Sequence, residues 1–113
     1  MATTYKVLGQ VNPTAATATT LYTVPAGTQT VVSTISVANL TSGEISFRIA
    51  IRPAVSGTAE ALATKHYIAY DAKVAGNDTT FITVGATLGA GDVITVYESA
   101  ADIAFNAFGS EIS

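Results

Sequence analysis

Residues 44 to 52 read Glu-Ile-Ser-Phe-Arg-Ile-Ala-Ile-Arg, with Ile45, Phe47, Ile49 and Ile51 on one parity and Ser46, Arg48, Ala50 and Arg52 on the other. Side chains of an extended chain alternate between the two faces of a sheet, so this run specifies a strand with one face in a core. Segments of similar character recur along the chain, each closed by Gly, Pro, Asn or Asp. The chain is therefore expected to be all-β: a single antiparallel β-sandwich or jelly roll of about eight strands, one domain over residues 1–113.

Tyr5, Val7 and Val11 alternate with Thr4, Lys6 and Gln10, which predicts a first strand over residues 3 to 11 that stops before Asn12-Pro13. The Ala and Thr run from 14 to 20 reads as a loop, because its threonines are β-branched and no apolar stripe recurs at helical spacing. A short strand over 21 to 24 ends at Pro25-Ala26-Gly27, where proline presets φ and glycine accepts φ above zero. In the long strand expected over 28 to 40, Val31, Ile35 and Val37 share a parity with Ser33 while Val32 and Leu40 face the other way. Thr41-Ser42-Gly43 predicts a hairpin that joins it to residues 44 to 52. Residues 53 to 64 read as a small-residue loop with one helical turn around Glu60-Ala61-Leu62-Ala63. Further strands are expected over 65 to 71, 79 to 84, 92 to 98 and 102 to 108, with a turn at Ala75-Gly76-Asn77-Asp78 and a glycine-punctuated loop from Gly85 to Gly91.

Charge is scarce. Asp, Glu, Lys and Arg make up 12% of the 113 residues, against about 25% in an ordinary soluble domain. Hydrophobic residues reach 49% and the mean hydropathy is +0.42, more apolar surface than a lone domain of this size readily hides. Contact with other protein is the expected outlet, through an oligomer or a lattice. Five basic residues and a net charge of -3 disfavour binding to a nucleic-acid backbone. The absence of cysteine removes disulfides and thiolate metal sites. No apolar run approaches the roughly 20 residues that span a bilayer, and the first residues lack the apolar stretch of a secretory signal, so no membrane role and synthesis in a cytoplasm are expected.

The same residues argue against chemistry. His66 is the sole histidine, and on a regular strand it and Asp71 would point to opposite faces, so a dyad is not expected and His66 reads as a structural or interface residue satisfied by a hydrogen bond. Asp71, Asp78 and Asp92 fall at strand ends and turns, where carboxylates bond to nearby backbone amides. No nucleophile elbow, calcium loop or phosphate loop occurs, so no catalytic, cofactor-binding or metal-binding residue is assigned and no cofactor is expected. Tyr67, Tyr70, Tyr97, Phe105 and Phe108 supply either core packing or an aromatic platform for sugar. Phe105 and Phe108 differ in parity, so one ring must leave the inner face and be covered by a loop or by another subunit.

The strings Leu21-Tyr22-Thr23-Val24-Pro25-Ala26-Gly27-Thr28 and Val32-Ser33-Thr34-Ile35-Ser36-Val37-Ala38-Asn39 resemble the opening of small β-sandwich structural proteins of tailed bacteriophage particles. Lys65 to Asp71, Ala90 to Tyr97 and Phe105 to Gly109 extend the likeness over nearly the whole chain, notably to virion proteins of phages from marine and freshwater bacteria. The resemblance implies a non-enzymatic structural protein of the virion, assembled in the bacterial cytoplasm. Its role would be that of an oligomeric capsid decoration or cement protein, or of a tail accessory protein. The partners implied are further copies of the chain and virion proteins such as the major capsid protein or tail proteins. The competing reading is a receptor- or carbohydrate-binding module of a phage fibre. From pattern alone, the candidate interface residues are Tyr5, Phe105, Phe108 and Ile112, and the candidate contact segments are residues 1 to 5, 106 to 113 and the loop at 53 to 64.

Overall fold

A computed structural model describes residues 2–113. The strands are β1 (Thr3–Val11), β2 (Thr19–Thr23), β3 (Gln29–Asn39), β4 (Ile45–Arg52), β5 (Ala54–Val55), β6 (Thr58–Ala59), β7 (Tyr67–Val74), β8 (Thr79–Leu88), β9 (Val93–Glu98) and β10 (Ile103–Ile112). One four-stranded sheet has the order β1-β10-β3-β8, the other β2-β9-β4-β7, and β5 and β6 form a small ribbon. Every pairing is antiparallel. β1 pairs with β10, β2 with β9, β3 with β8 and β4 with β7, so the chain is one long hairpin whose tip lies between β4 and β7. Winding that hairpin up adds the pairs β10 with β3 and β9 with β4 and closes the two sheets over one core. This is the connectivity of a jelly roll.

Two expectations about connection fail. Thr41-Ser42-Gly43 does not close a hairpin, because β3 and β4 lie in different sheets. The segment is a crossover, and the Asn39 side chain holds it: Nδ2 donates to the Gly43 carbonyl at 2.7 Å and the Val74 carbonyl at 3.2 Å, while Oδ1 accepts from the Thr41 amide at 2.9 Å. The turn between β7 and β8 packs onto it so closely that a Cβ at Gly76 would meet the Ser42 carbonyl. Residues 60 to 63 are not helical either. The loop instead begins with the β5–β6 ribbon and makes its single 3-10 turn at Thr64–His66. Arg52 spans its base, donating to Thr95 Oγ1 at 3.1 Å and to the Glu60 carbonyl at 3.2 Å.

Bulges decide which parity faces inward. Registers slip at Val7/Gly9 between β1 and β10, at Phe108/Gly109 between β10 and β3, and at Val32/Thr34 between β3 and β8. These slips lie on neighbouring rows, so an irregular line crosses the whole first sheet. In β3 the buried positions change from Thr30 and Val32 to Ile35 and Val37, while Ser33 is exposed and Val31 half-buried. The single parity expected for Val31, Ser33, Ile35 and Val37 is thereby broken. β8 runs to Leu88 because Gly85 takes φ +60° inside it, a bulge conformation that a side chain disfavours.

Phe105 is fully buried and meets Phe47 of the opposite sheet edge to face, with ring centroids 6.3 Å apart. Ile35, Val37 and Ile103 pack beside it against Ile49, Ile94 and Val96. Phe105 therefore leaves the set of candidate interface residues, because its parity faces the core on the Ile103 side of the bulge. Glu98 also points into the sandwich. One carboxylate oxygen accepts the Ile103 amide at 3.3 Å and the other, Oε2, has no partner. Burial pushes this carboxyl above the ordinary glutamate range; the Ile103 amide opposes that shift and the charge of Asp102 adds to it.

Phe105→Ala is expected to lower the unfolding free energy by about 3–5 kcal/mol, with Phe105→Leu as the milder variant at about 1 kcal/mol. Urea titrations at several protein concentrations check this, and a cost that changes with concentration would place the ring at a subunit contact. Since the fold binds the Glu98 proton more tightly than the unfolded chain does, its contribution to stability is full below the ordinary glutamate value of about 4.3 and is lost as pH rises through the raised value. Glu98→Gln should therefore gain in melting temperature relative to the parent as pH climbs through that window. A difference that stays flat with pH would show that the carboxyl titrates no differently in the fold.

Candidate assembly surface

The outer face of the first sheet is built from side chains that alternate with the core. Tyr5, Ser110, Val31 and Thr87 form one row across β1, β10, β3 and β8. Val7, Phe108, Thr34 and Thr83 form the next, and Gln10, Asn106, Ser36 and Phe81 another. Tyr5 is 85% exposed, Phe81 69% and Val7 47%. Lys6 and Glu111 are the only charged residues on these four strands, and both point to the side of the second sheet. Lys6 Nζ lies 3.2 Å from Glu111, which also accepts the Tyr22 hydroxyl of β2, and that hydroxyl meets the buried Thr30 at 2.8 Å. The Tyr22 bond and then Lys6 hold the Glu111 carboxyl below its ordinary range, while burial and Glu111 push the Tyr22 phenol up to about 12. The outer face is thus left without charge.

A shallow groove of about 450 Å³ runs over this face between Tyr5, Val31, Ser33, Phe108 and Gly109. Lys6 contributes to its wall, with its ammonium turned away to Glu111. The Gly109 backbone forms part of the floor, and a Cβ there would collide with the Val31 carbonyl and with Leu8 on the core side. Of the residues singled out from sequence, Tyr5 and Phe108 come together here. Ile112 sits at the end of β10 opposite Thr3 and Gln29 and borders a separate hollow of about 410 Å³ with Gly27 and Gly89. Residues 106 to 112 are not a loose end but part of β10, paired on both sides. Met1 lies outside the described residues.

Phe81 was not singled out by the sequence, although a signal for it exists. Thr79, Phe81 and Thr83 share one parity and Ile82 and Val84 the other, so the lone ring among threonines is the outward one.

The second sheet presents a different outer face. The Arg48 guanidinium lies 4.2 Å from the Tyr70 ring centre and 4.4 Å from that of Tyr97. Its Nε donates to Asp71 at 2.7 Å, and Tyr67 meets Tyr70 edge on at 4.9 Å. Three of the five rings considered as a platform are therefore gathered, with a cation stacked on two of them. Asp71 bonds to Arg48 and not to a nearby amide, which corrects the expectation for it. Asp78 does accept the Thr79 amide, and Asp92 accepts those of Ala54 and Gly89, each at 2.8 Å.

His66 is buried and both ring nitrogens are engaged. Nδ1 accepts the Ala63 amide at 3.0 Å and Nε2 lies 3.1 Å from Glu60, whose carboxyl this contact holds low. That is the structural histidine the sequence led us to expect, and its partner is Glu60. Among the described residues no three His, Asp or Glu side chains cluster to hold a metal ion, and no helix is long and apolar enough to cross a membrane. No protein-family model matches the chain, and no curated protein matches it.

Proposed function

We propose that this chain is a non-enzymatic structural subunit of a tailed phage particle, a capsid decoration or cement protein or a tail accessory protein, acting in the virion. The observation that carries the reading is the uncharged outer face of the first sheet, where Tyr5, Val7 and Phe81 stand exposed on a rigid scaffold. Large exposed rings on an uncharged sheet suit contact with other protein. The resemblance of the 21 to 39, 65 to 71 and 90 to 97 strings to virion proteins supplies the setting. The mechanism is mechanical: covering apolar surface removes it from water, and repetition over a lattice multiplies weak contacts. His66 offers no free base for catalysis, because Ala63 and Glu60 occupy its nitrogens.

The Arg48, Tyr70 and Tyr97 stack favours a second reading, a carbohydrate-binding module of a phage fibre, in which the remaining ring edges and hydroxyls of the second sheet would meet a sugar. Mass spectrometry and cryo-electron microscopy of purified particles are expected to find the jelly roll in many symmetric copies on the capsid or tail. Its absence from particles would overturn the structural reading. Binding to a host polysaccharide on a glycan array, lost in Tyr70→Ala, would establish the fibre reading in its place.

A further inference from the structure

We infer that the outer face of the first sheet pairs with the same face of a second copy of this chain, each copy seating its Phe81 in the partner's groove between Tyr5, Val31 and Phe108. The inference deepens the structural reading and rests on its premise that the chain works by assembly.

Knob and groove lie on one face but do not coincide. Phe81 projects from the edge strand β8, whereas the groove lies over β1, β10 and β3. A two-fold axis in the plane of contact, through the midpoint between them, brings each Phe81 over the other copy's groove at once. Contacts then occur in reciprocal pairs, as a closed two-fold interface requires. The groove is floored by the Gly109 backbone and the small Ser33 side chain and walled by Tyr5 and Phe108, whose rings meet an aromatic edge favourably.

Charge selects the same occupant. Each copy carries a net charge of -3, yet none of it lies on this face, so two copies meet there without like-charge contact. A heterologous partner would find no charged group on the face to specify it. The area is adequate. Four strands about 4.8 Å apart and about 33 Å long present roughly 600 Å², so two copies cover on the order of 1,200 Å², the lower bound of a specific interface.

The test uses the full chain in solution. Sedimentation velocity up to about 1 mM should show a monomer–dimer equilibrium, and Phe81→Lys should weaken it on the order of thirtyfold. Tyr5→Lys provides an independent variant at an exposed position, and Tyr70→Lys on the other sheet should change nothing. Circular dichroism and urea midpoints confirm that each variant is folded. Because the chain has no cysteine, Phe81→Cys and Ser33→Cys can be joined by a short bis-maleimide. The mixture should cross-link and neither variant alone should. A wild-type monomer throughout that range overturns the pairing, as does a dimer broken by Tyr70→Lys and not by Phe81→Lys, or a cross-link from Phe81→Cys alone. A monomer in solution that is nevertheless found in purified particles removes the pairing and leaves the structural reading. A dimer absent from particles does the reverse.

Discussion

The first half of this chain pairs with the second half in reverse order, and the rest of the structure follows from that pairing. Thr3 stands opposite Ile112, Thr30 opposite Leu88 and Ile45 opposite Val74, so the loops between partners shorten steadily toward the tip. Loop-closure entropy makes the outer pairs the most costly to form first. The β4–β7 pair is the most local of the four, and its connecting loop is tied by Arg52 to Glu60 and by Glu60 to His66. The contacts around His66 thus belong to the mechanics of the tip. At the other end of the hairpin, Ala2 and Ser113 exchange backbone hydrogen bonds, which ties the start of β1 to the end of β10.

Strand existence was legible because alternation and turn residues are local signals. β1 matches its expected span, and β4, β9 and β10 begin within a residue or so of where alternation placed them. Pairing was not legible in the same way. Thr-Ser-Gly serves a tight hairpin and a sheet-to-sheet crossover equally well, and the deciding group is the Asn39 side chain, which acts through Val74 in a distant strand. Parity was only half legible. Alternation identifies which residues share a face, but a bulge exchanges the faces partway along a strand, as Ser33 does in β3.

The candidate surface shows the same limit. Phe105 and Phe108 were correctly separated by parity, but which ring left the core depended on the long-range register of β10 against β3. Tyr5, Val7 and Val11 share a parity in the sequence, yet Tyr5 and Val7 face outward while Leu8 is buried and Val11 packs on the core, because the register slip between Val7 and Gly9 exchanges the faces. The Arg48 stack joins residues from β4, β7 and β9, and no spacing along the chain reports that meeting. What composition did report was a surplus of apolar and neutral surface, and the fold places part of it, Tyr5, Val7 and Phe81, on the outer face of the first sheet, with Ile68 and Tyr70 on the second and Leu40, Val55 and Leu62 outside both.

The placement of the few charges distinguishes the two outer faces. Lys6 bonds to Glu111, which also accepts the Tyr22 hydroxyl, on the inward side at one end of β10, while Glu98 is enclosed at the other end, near Ile103. Glu98 and, for the most part, Glu111 are already desolvated within the fold, and the Lys6 ammonium, although 43% of its side chain is exposed, is turned to Glu111 and away from the outer face. Docking on the second sheet would require covering Arg48 and Asp71, and Lys73 with Glu44 at 3.8 Å, each of which now faces water. Docking on the first sheet covers only rings, aliphatic groups, hydroxyls and amides. Burial of apolar surface there would meet little opposing ionic penalty, which is the physical basis of the assembly proposed above.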